Sequence, residues 1–125
     1  MAIVQVKDAT GSVLDWMVAK CEGTPSVRMF ENSKGFRVYK NESMKMQGIN
    51  FAPSTVWAQG GPIIEQEKIE LIPPANESVL EWVAVWYKCE DAGMQGGTSP
   101  LIAAMRCFCC SKLGDIVDVP EELCQ

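Results

Sequence analysis

Histidine is missing from all 125 residues of this chain. That absence takes away the base that ordinarily activates a cysteine nucleophile, so Cys89, followed by Glu90 and Asp91, lacks a catalytic partner. It also takes away the imidazole ligand of a structural zinc site. The run Cys107-Phe108-Cys109-Cys110 points its sulfurs in different directions around a helix axis. No apolar run approaches the length that crosses a bilayer, and the opening MAIVQVKD has neither the basic flank nor the apolar core of a secretory signal. Basic residues are few: Lys and Arg number 11 against 16 Asp and Glu, giving a net charge of −5 and a pI near 4.7. The nearest thing to a basic cluster is Lys34, Arg37 and Lys40. Affinity for nucleic acid comes mainly from Lys and Arg displacing counterions, so this balance argues against a polyanionic partner. Repeats and low-complexity segments are absent as well.

What remains is the composition of an ordinary folded protein, with 47% hydrophobic and 22% charged residues. The length predicts a single domain over 1–125. The six cysteines are read as small apolar fillers with reduced thiols, which suits a cytoplasmic protein better than a disulfide framework. No metal and no cofactor is expected.

Taken in order, Val4–Lys7 is an edge strand or a lead-in. Asp8 or Thr10 caps a helix that stops at Gly23, with Val13, Leu14, Met17, Val18 and Cys21 on one apolar stripe and Asp15, Lys20 and Glu22 off it. Val27–Phe30 and Phe36–Lys40 read as a hairpin about the tetrad Asn32-Ser33-Lys34-Gly35. The polar, Met-rich segment 41–50 reads as an exposed loop. Ala52-Pro53-Ser54-Thr55 is extended or turned, and Gly60-Gly61-Pro62 starts a short helical turn at Pro62. A strand follows over Ile69–Ile72. Val79–Tyr87 (VLEWVAVWY) is the strongest strand signal, a central one with both faces covered. Glu90–Gly97 reads as a glycine-rich loop. Thr98 or Ser99 caps a last helix that Pro100 begins and Gly114 ends, apolar nearly all round except at Arg106, Ser111 and Lys112. The acidic tail 115–125 is expected to fray. The sum is an α+β fold: an antiparallel sheet of about three to five strands with an N-terminal and a C-terminal helix packed on one face.

Three stretches together, Thr10–Gly23 (TGSVLDWMVAKCEG), Phe51–Leu71 (FAPSTVWAQGGPIIEQEKIEL) and Gly97–Val119 (GTSPLIAAMRCFCCSKLGDIVDV), resemble the NinX-like proteins of tailed phages and prophages. The core S-T-x-W-x-x-G-G-P-I-I-E followed by P-L-I-A-A-M-R carries the resemblance. It implies a phage or prophage protein acting in the bacterial cytoplasm, and it implies no reaction. Two departures stand out. Val56 takes the place of the Asp or Asn that the family tends to carry before the tryptophan, which weakens any site built on that polar group. Cys107, Cys109 and Cys110 take the place of Ala, Val and Ala, in keeping with the filler reading.

Candidate binding residues are Ser54, Thr55, Trp57, Gln59, Gly60, Gly61, Pro62, Glu65 and Arg106. Hydroxyls and free backbone N–H groups near a glycine turn suit a carboxylate or phosphate, with Trp57 as a stacking platform. The structural reading is favoured over it: Ser54 and Thr55 cap a turn, Trp57 plugs the core, and the glycines permit a tight corner. A lone Gly-Gly with no Lys-Ser/Thr after it is no P-loop. Glu65, Glu67 and Glu70 diverge too much for paired acid–base work and read as a solvated face. Arg106, the lone charge among apolar neighbours, is expected to pair with a carboxylate such as Asp15 or Glu65 in preference to binding an anion. Of Trp16, Trp57, Trp82 and Trp86, most are expected in the core.

The functional expectation is a non-enzymatic accessory protein that binds a host or phage protein, working as a homodimer. The alternatives are a nucleic-acid-binding domain with the layout of a double-stranded-RNA-binding domain, which here lacks lysines over Thr98–Met105, and a small-ligand site at Ser54–Glu65.

Overall fold

The computed structural model describes residues 2–29, 36–78, 80–88 and 91–124. Strand β1 (Ala2–Gln5) leads through a 3-10 turn at Val6–Asp8 into helix α1 (Gly11–Glu22). Thr10 is extended just before α1, and Gly23 closes it by donating its N–H to the Ala19 carbonyl. The expected stripe is there in Leu14, Met17 and Val18, but Asp15, Trp16 and Ala19 are buried too. The helix is covered on more than one side, by β3, by β7 and by the last helix. Strands β2 (Ser26–Met29) and β3 (Phe36–Tyr39) pair antiparallel, Val27 opposite Val38. The turn expected at Asn32–Gly35 lies outside the described residues.

Segment 41–50, expected as a loop, contains helix α2 (Glu42–Gln47). The reason is local: Asn41 Oδ1 accepts from the Met44 N–H at 2.9 Å, and Gly48 takes the left-handed conformation at φ +69° that ends a helix. No residue of α2 is buried.

Helix α3 (Trp57–Glu67) begins at Trp57, earlier than the expected start at Pro62. Both glycines of the expected corner are therefore inside a helix. Gly60 is there for contact, because a Cβ on it would lie 2.7 Å from Leu101 Cδ2 and closer still to the Pro53 carbonyl oxygen. Gly61 precedes Pro62, and a residue with a Cβ at that place is disfavoured in a helix. Strand β4 (Glu70–Ile72) pairs with β5 (Trp82–Lys88), and β5 pairs with β6 (Asp91–Gly97). Strand β6 replaces the expected loop at Glu90–Gly97. Its glycines let the chain lie against its neighbours: a Cβ on Gly97 would stand 2.6 Å from the Ala103 nitrogen. Trp82, Ala84 and Trp86 join the core beneath the last helix. The opposite face of β5 is less covered than expected, since Tyr87 is 63% exposed there.

Helix α4 (Pro100–Leu113) starts where the sequence places it. Ser99 Oγ accepts from the Ile102 N–H at 3.1 Å, and Gly114 donates back to Cys110 at its end. Strand β7 (Ile116–Val119) then pairs antiparallel with β1, and a 3-10 turn at Glu121–Cys124 follows. The acidic tail is thus built into the fold: alternation buries Val117 and Val119 while Ile116 and Asp118 face water, and Leu123 is buried after them.

The architecture is α+β. The described strands make three antiparallel sheets, β1–β7, β2–β3 and β4–β5–β6. Helix α4 packs on the three-stranded sheet, and α1 packs on α4. Among the described residues no helix is long and apolar enough to cross a membrane.

Candidate binding cleft between two helix starts

The corner before α3 is built on turn chemistry. Ala52 carries a carbonyl that accepts from the Thr55 N–H at 3.1 Å and the Val56 N–H at 2.8 Å, with the Thr55 hydroxyl on the same oxygen at 3.4 Å. Gln59 ties this turn back to its own helix: its Oε1 accepts from the Ala52 N–H and its Nε2 donates to the Asn50 carbonyl at 3.0 Å. Thr55 and Gln59 therefore serve the architecture, as the structural reading has it. Ser54 does something else.

Ser54 is only 2% exposed. Its N–H donates to Asp15 Oδ1 at 2.9 Å, joining the corner to α1 across 39 residues. Its hydroxyl faces the same carboxylate without completing a hydrogen bond there or elsewhere. A buried hydroxyl left unsatisfied costs about 1–3 kcal/mol. Asp15 is itself 5% exposed. Burial pushes its carboxyl up to about 6, against the lowering pull of the Ser54 N–H and hydroxyl. The sequence reading set Asp15 off the apolar stripe of α1. The available signal was its helical neighbourhood, for Gly11, Ser12, Val18 and Ala19 at the flanking turns are all uncharged and mostly small.

Trp57, the first residue of α3, is 55% exposed and does not plug the core as expected. It forms one wall of a cleft of about 330 Å³ whose other walls are Ser54, Thr55 and the first turn of α4 from Ser99 to Ile102. Two helix N-termini thus border the same space. The Trp57 and Leu101 N–H groups have no backbone or side-chain acceptor among the described residues, as is usual for the first turn of a helix. Sequence reasoning missed the contribution of Ser99–Ile102, because tertiary packing such as that of Gly60 against Leu101 brings α4 to the corner.

The other candidates go elsewhere. Gln59 and Pro62 line a separate groove with Glu22, Lys40 and Phe51. Gly60 is packed against Pro53 and Leu101, and a Cβ on Gly61 would be in ordinary contact with the Trp57 ring. Glu65 is exposed. Arg106 does not pair with Asp15 or Glu65. Its Nε donates to the Ala9 carbonyl at 2.9 Å and its Nη1 to the Gly96 carbonyl at 2.8 Å, so it clamps the entry to α1 onto β6. Burial lowers its pKa, and the charges of Asp8 and Glu81 oppose that effect.

The thiols of Cys107, Cys109 and Cys110 are all raised above the usual range. Burial pushes Cys107 up to about 11; burial and the neighbouring Cys21 thiol push Cys109 well above the usual range. Cys110 is raised by burial and by Asp115, whose Oδ1 takes its S–H at 3.1 Å. Cys21 is lowered, chiefly by its hydrogen bond with Cys109. Cys89 lies outside the described residues. Among the described residues no group of three potential ligands forms a metal site.

Compared with known families, residues 5–112 match the family model described as Bacteriophage P22, NinX, a span that includes every residue of the cleft. No curated protein matches the chain.

Proposed function

The chain belongs to the bacteriophage P22 NinX family, and from that premise we propose that it is a non-enzymatic accessory protein that binds another protein. The observation that carries this reading is the face of the β4–β5–β6 sheet turned away from α4. By register, Glu70, Ile72, Val83, Val85, Tyr87 and Met94 share that face. Tyr87 is 63% and Met94 65% exposed, with Ile72 exposed beside them. Glu81 lies over Gly96 on the same side, and the neighbouring Glu70 carboxylate raises the Tyr87 pKa. Exposed Tyr and Met are the side chains enriched where proteins meet.

The face carries two carboxylates and, among its described side chains, no cation. A partner with basic and apolar groups complements it. A second copy of the chain, the homodimer expected from the sequence, would bring carboxylates toward carboxylates at this face, so a different protein is the better match. The proposed place of action is the host cytoplasm, supported by the phage family and by the free thiols at Cys21, Cys107, Cys109, Cys110 and Cys124.

The test compares the chain with a Tyr87→Glu, Met94→Glu double variant in cross-linking and pull-down from phage-infected cells, with light scattering on each alone. Both side chains are exposed, so the melting temperature is expected to stay within about 2 °C of the parent. The parent is expected to retain a partner that the variant loses by about tenfold or more. Equal recovery by both proteins would refute the assignment to this face. A dimer that the double substitution splits would identify a second copy as the partner.

A further inference from the structure

Cys21 stands in the last turn of α1 and Cys109 in the second half of α4, and the two helices pack on each other. The two thiols meet at that seam in a hydrogen bond, with Cys21 set against the core cluster to which Cys109 belongs. They differ in access: Cys21 is half-buried, whereas Cys109 is fully buried. We propose that the pair is a peroxide-responsive thiol switch, in which Cys21 takes the oxidant and Cys109 resolves it to a disulfide that staples α1 to α4. Thiols already in contact on two different elements meet the geometric precondition for such a bond.

Their surroundings set these two apart from the other described cysteines. Cys110 gives its S–H to Asp115 Oδ1 at 3.1 Å, and that carboxylate disfavours a thiolate. Cys107 is buried, with its S–H toward the Gly93 carbonyl at 3.7 Å. A bond between these two would tie α4 only to itself. Cys21 combines partial access with surroundings that favour the thiolate, the form that attacks an oxidant. The Cys109 hydrogen bond favours it most, Lys112 and Lys20 assist, and burial and Glu22 oppose. Glu22 is itself drawn to Lys40 Nζ at 3.6 Å, as Lys112 is to Glu67 at 3.7 Å.

The chemistry closes on these groups and one peroxide. The Cys21 thiolate attacks a peroxide oxygen; an S–O bond forms, the O–O bond breaks, and the departing hydroxide takes up the proton released by Cys21 to leave as water. Cys109 sulfur then attacks the sulfenic acid on Cys21. The S–S bond forms, the S–O bond breaks, and the Cys109 proton leaves with the hydroxide as a second water. Two thiols have given two electrons to hydrogen peroxide. Two equivalents of a small monothiol return the pair to the dithiol and become a disulfide themselves. In a reducing compartment the dithiol is the resting state, so the staple is conditional.

The test treats the folded, reduced full chain with a small excess of hydrogen peroxide, blocks the remaining thiols, and maps the tryptic peptides by mass spectrometry without reduction. Peptides 21–28 and 107–112 are expected to be joined, two hydrogen masses lighter than their sum. The join is expected to survive Cys107→Ala and Cys110→Ala and to vanish in Cys109→Ala, where a dione probe captures the sulfenic acid left on Cys21. Cys21→Ser, at the half-buried position, is expected to lose both the join and the captured acid. The oxidised parent is expected to melt about 5–15 °C above the reduced one and to return to it on addition of a monothiol. A join that persists without Cys109, capture that persists in Cys21→Ser, or a parent that stays unlinked overturns the proposal. So does a linked chain that melts no higher than the reduced one.

Discussion

Asp15 is a carboxylate that the folded protein prefers to keep protonated. Its pKa rises from 3.8 to about 6 because burial outweighs the hydrogen bonding from Ser54. Between those values the folded state binds more protons than the unfolded one, so this group favours folding as the pH falls from about 7 to about 4 and opposes it as the pH rises again. A shift of that size corresponds to about 3 kcal/mol at neutral pH, as an upper figure. Asparagine in its place keeps the acceptor for the Ser54 N–H and removes the buried charge. Asp15→Asn is therefore expected to be about 1–3 kcal/mol more stable than the parent at pH 7.5, with the difference closing by about pH 4. Urea denaturation of both proteins across that range measures it, and a gain independent of pH would show that the carboxylate is not buried as charge. The sequence alone did not reveal this residue, since an aspartate among small helical neighbours reads equally as a wetted one until the Ser54 corner is known to lie against it.

At the scale of elements, caps were legible and close contacts were not. Ser99, Pro100 and Gly114 bound α4 by chemistry that acts within a turn, and Gly23 ends α1 in the same way. The glycines of α3 and β6 misled, because glycine is also what remains when two backbones must touch. Gly60, inside α3, meets the Pro53 carbonyl and Leu101; Gly97, inside β6, meets the first turn of α4. Both contacts join segments far apart in the chain, so no local pattern announces them, and the cleft that depends on the first was half visible for that reason. Ser54, Thr55 and Trp57 could be read from turn chemistry, whereas their partners on α4 could not. The distinction predicts a change of sign. Glycine to alanine within a helix ordinarily stabilises by about 1 kcal/mol. Gly60→Ala forces its Cβ against a carbonyl oxygen and is expected instead to destabilise by about 1–3 kcal/mol. Thermal denaturation tests this, and a higher melting temperature would mean that α3 stands farther from the corner.

For the molecule as a whole, the deciding feature is that the two ends of the described chain close on each other. Strand β1 pairs with β7 from Ala2 opposite Val119 to Gln5 opposite Ile116, and α1 packs against both β7 and the turn after it. The family match ends at residue 112, before that closure begins, so the matched span does not reach the part of the fold that holds the ends. The residues do: Val117, Val119 and Leu123 are all buried and belong to the common core. Burying such side chains is worth about 1.5–3 kcal/mol each, against a total stability of about 5–15 kcal/mol for a domain. Deleting residues 114–125 is thus expected to remove much or all of the net stability, although every residue of the cleft and of the exposed sheet face is retained. The milder Val119→Ala is expected to cost about 1–3 kcal/mol and leave a cooperative transition. Circular dichroism with dye binding distinguishes the outcomes: the truncated chain is expected to bind dye and melt without a sharp transition. A truncated chain that melts where the parent does would mean that the core is complete without its closing strand, and that the tail belongs to the surface after all.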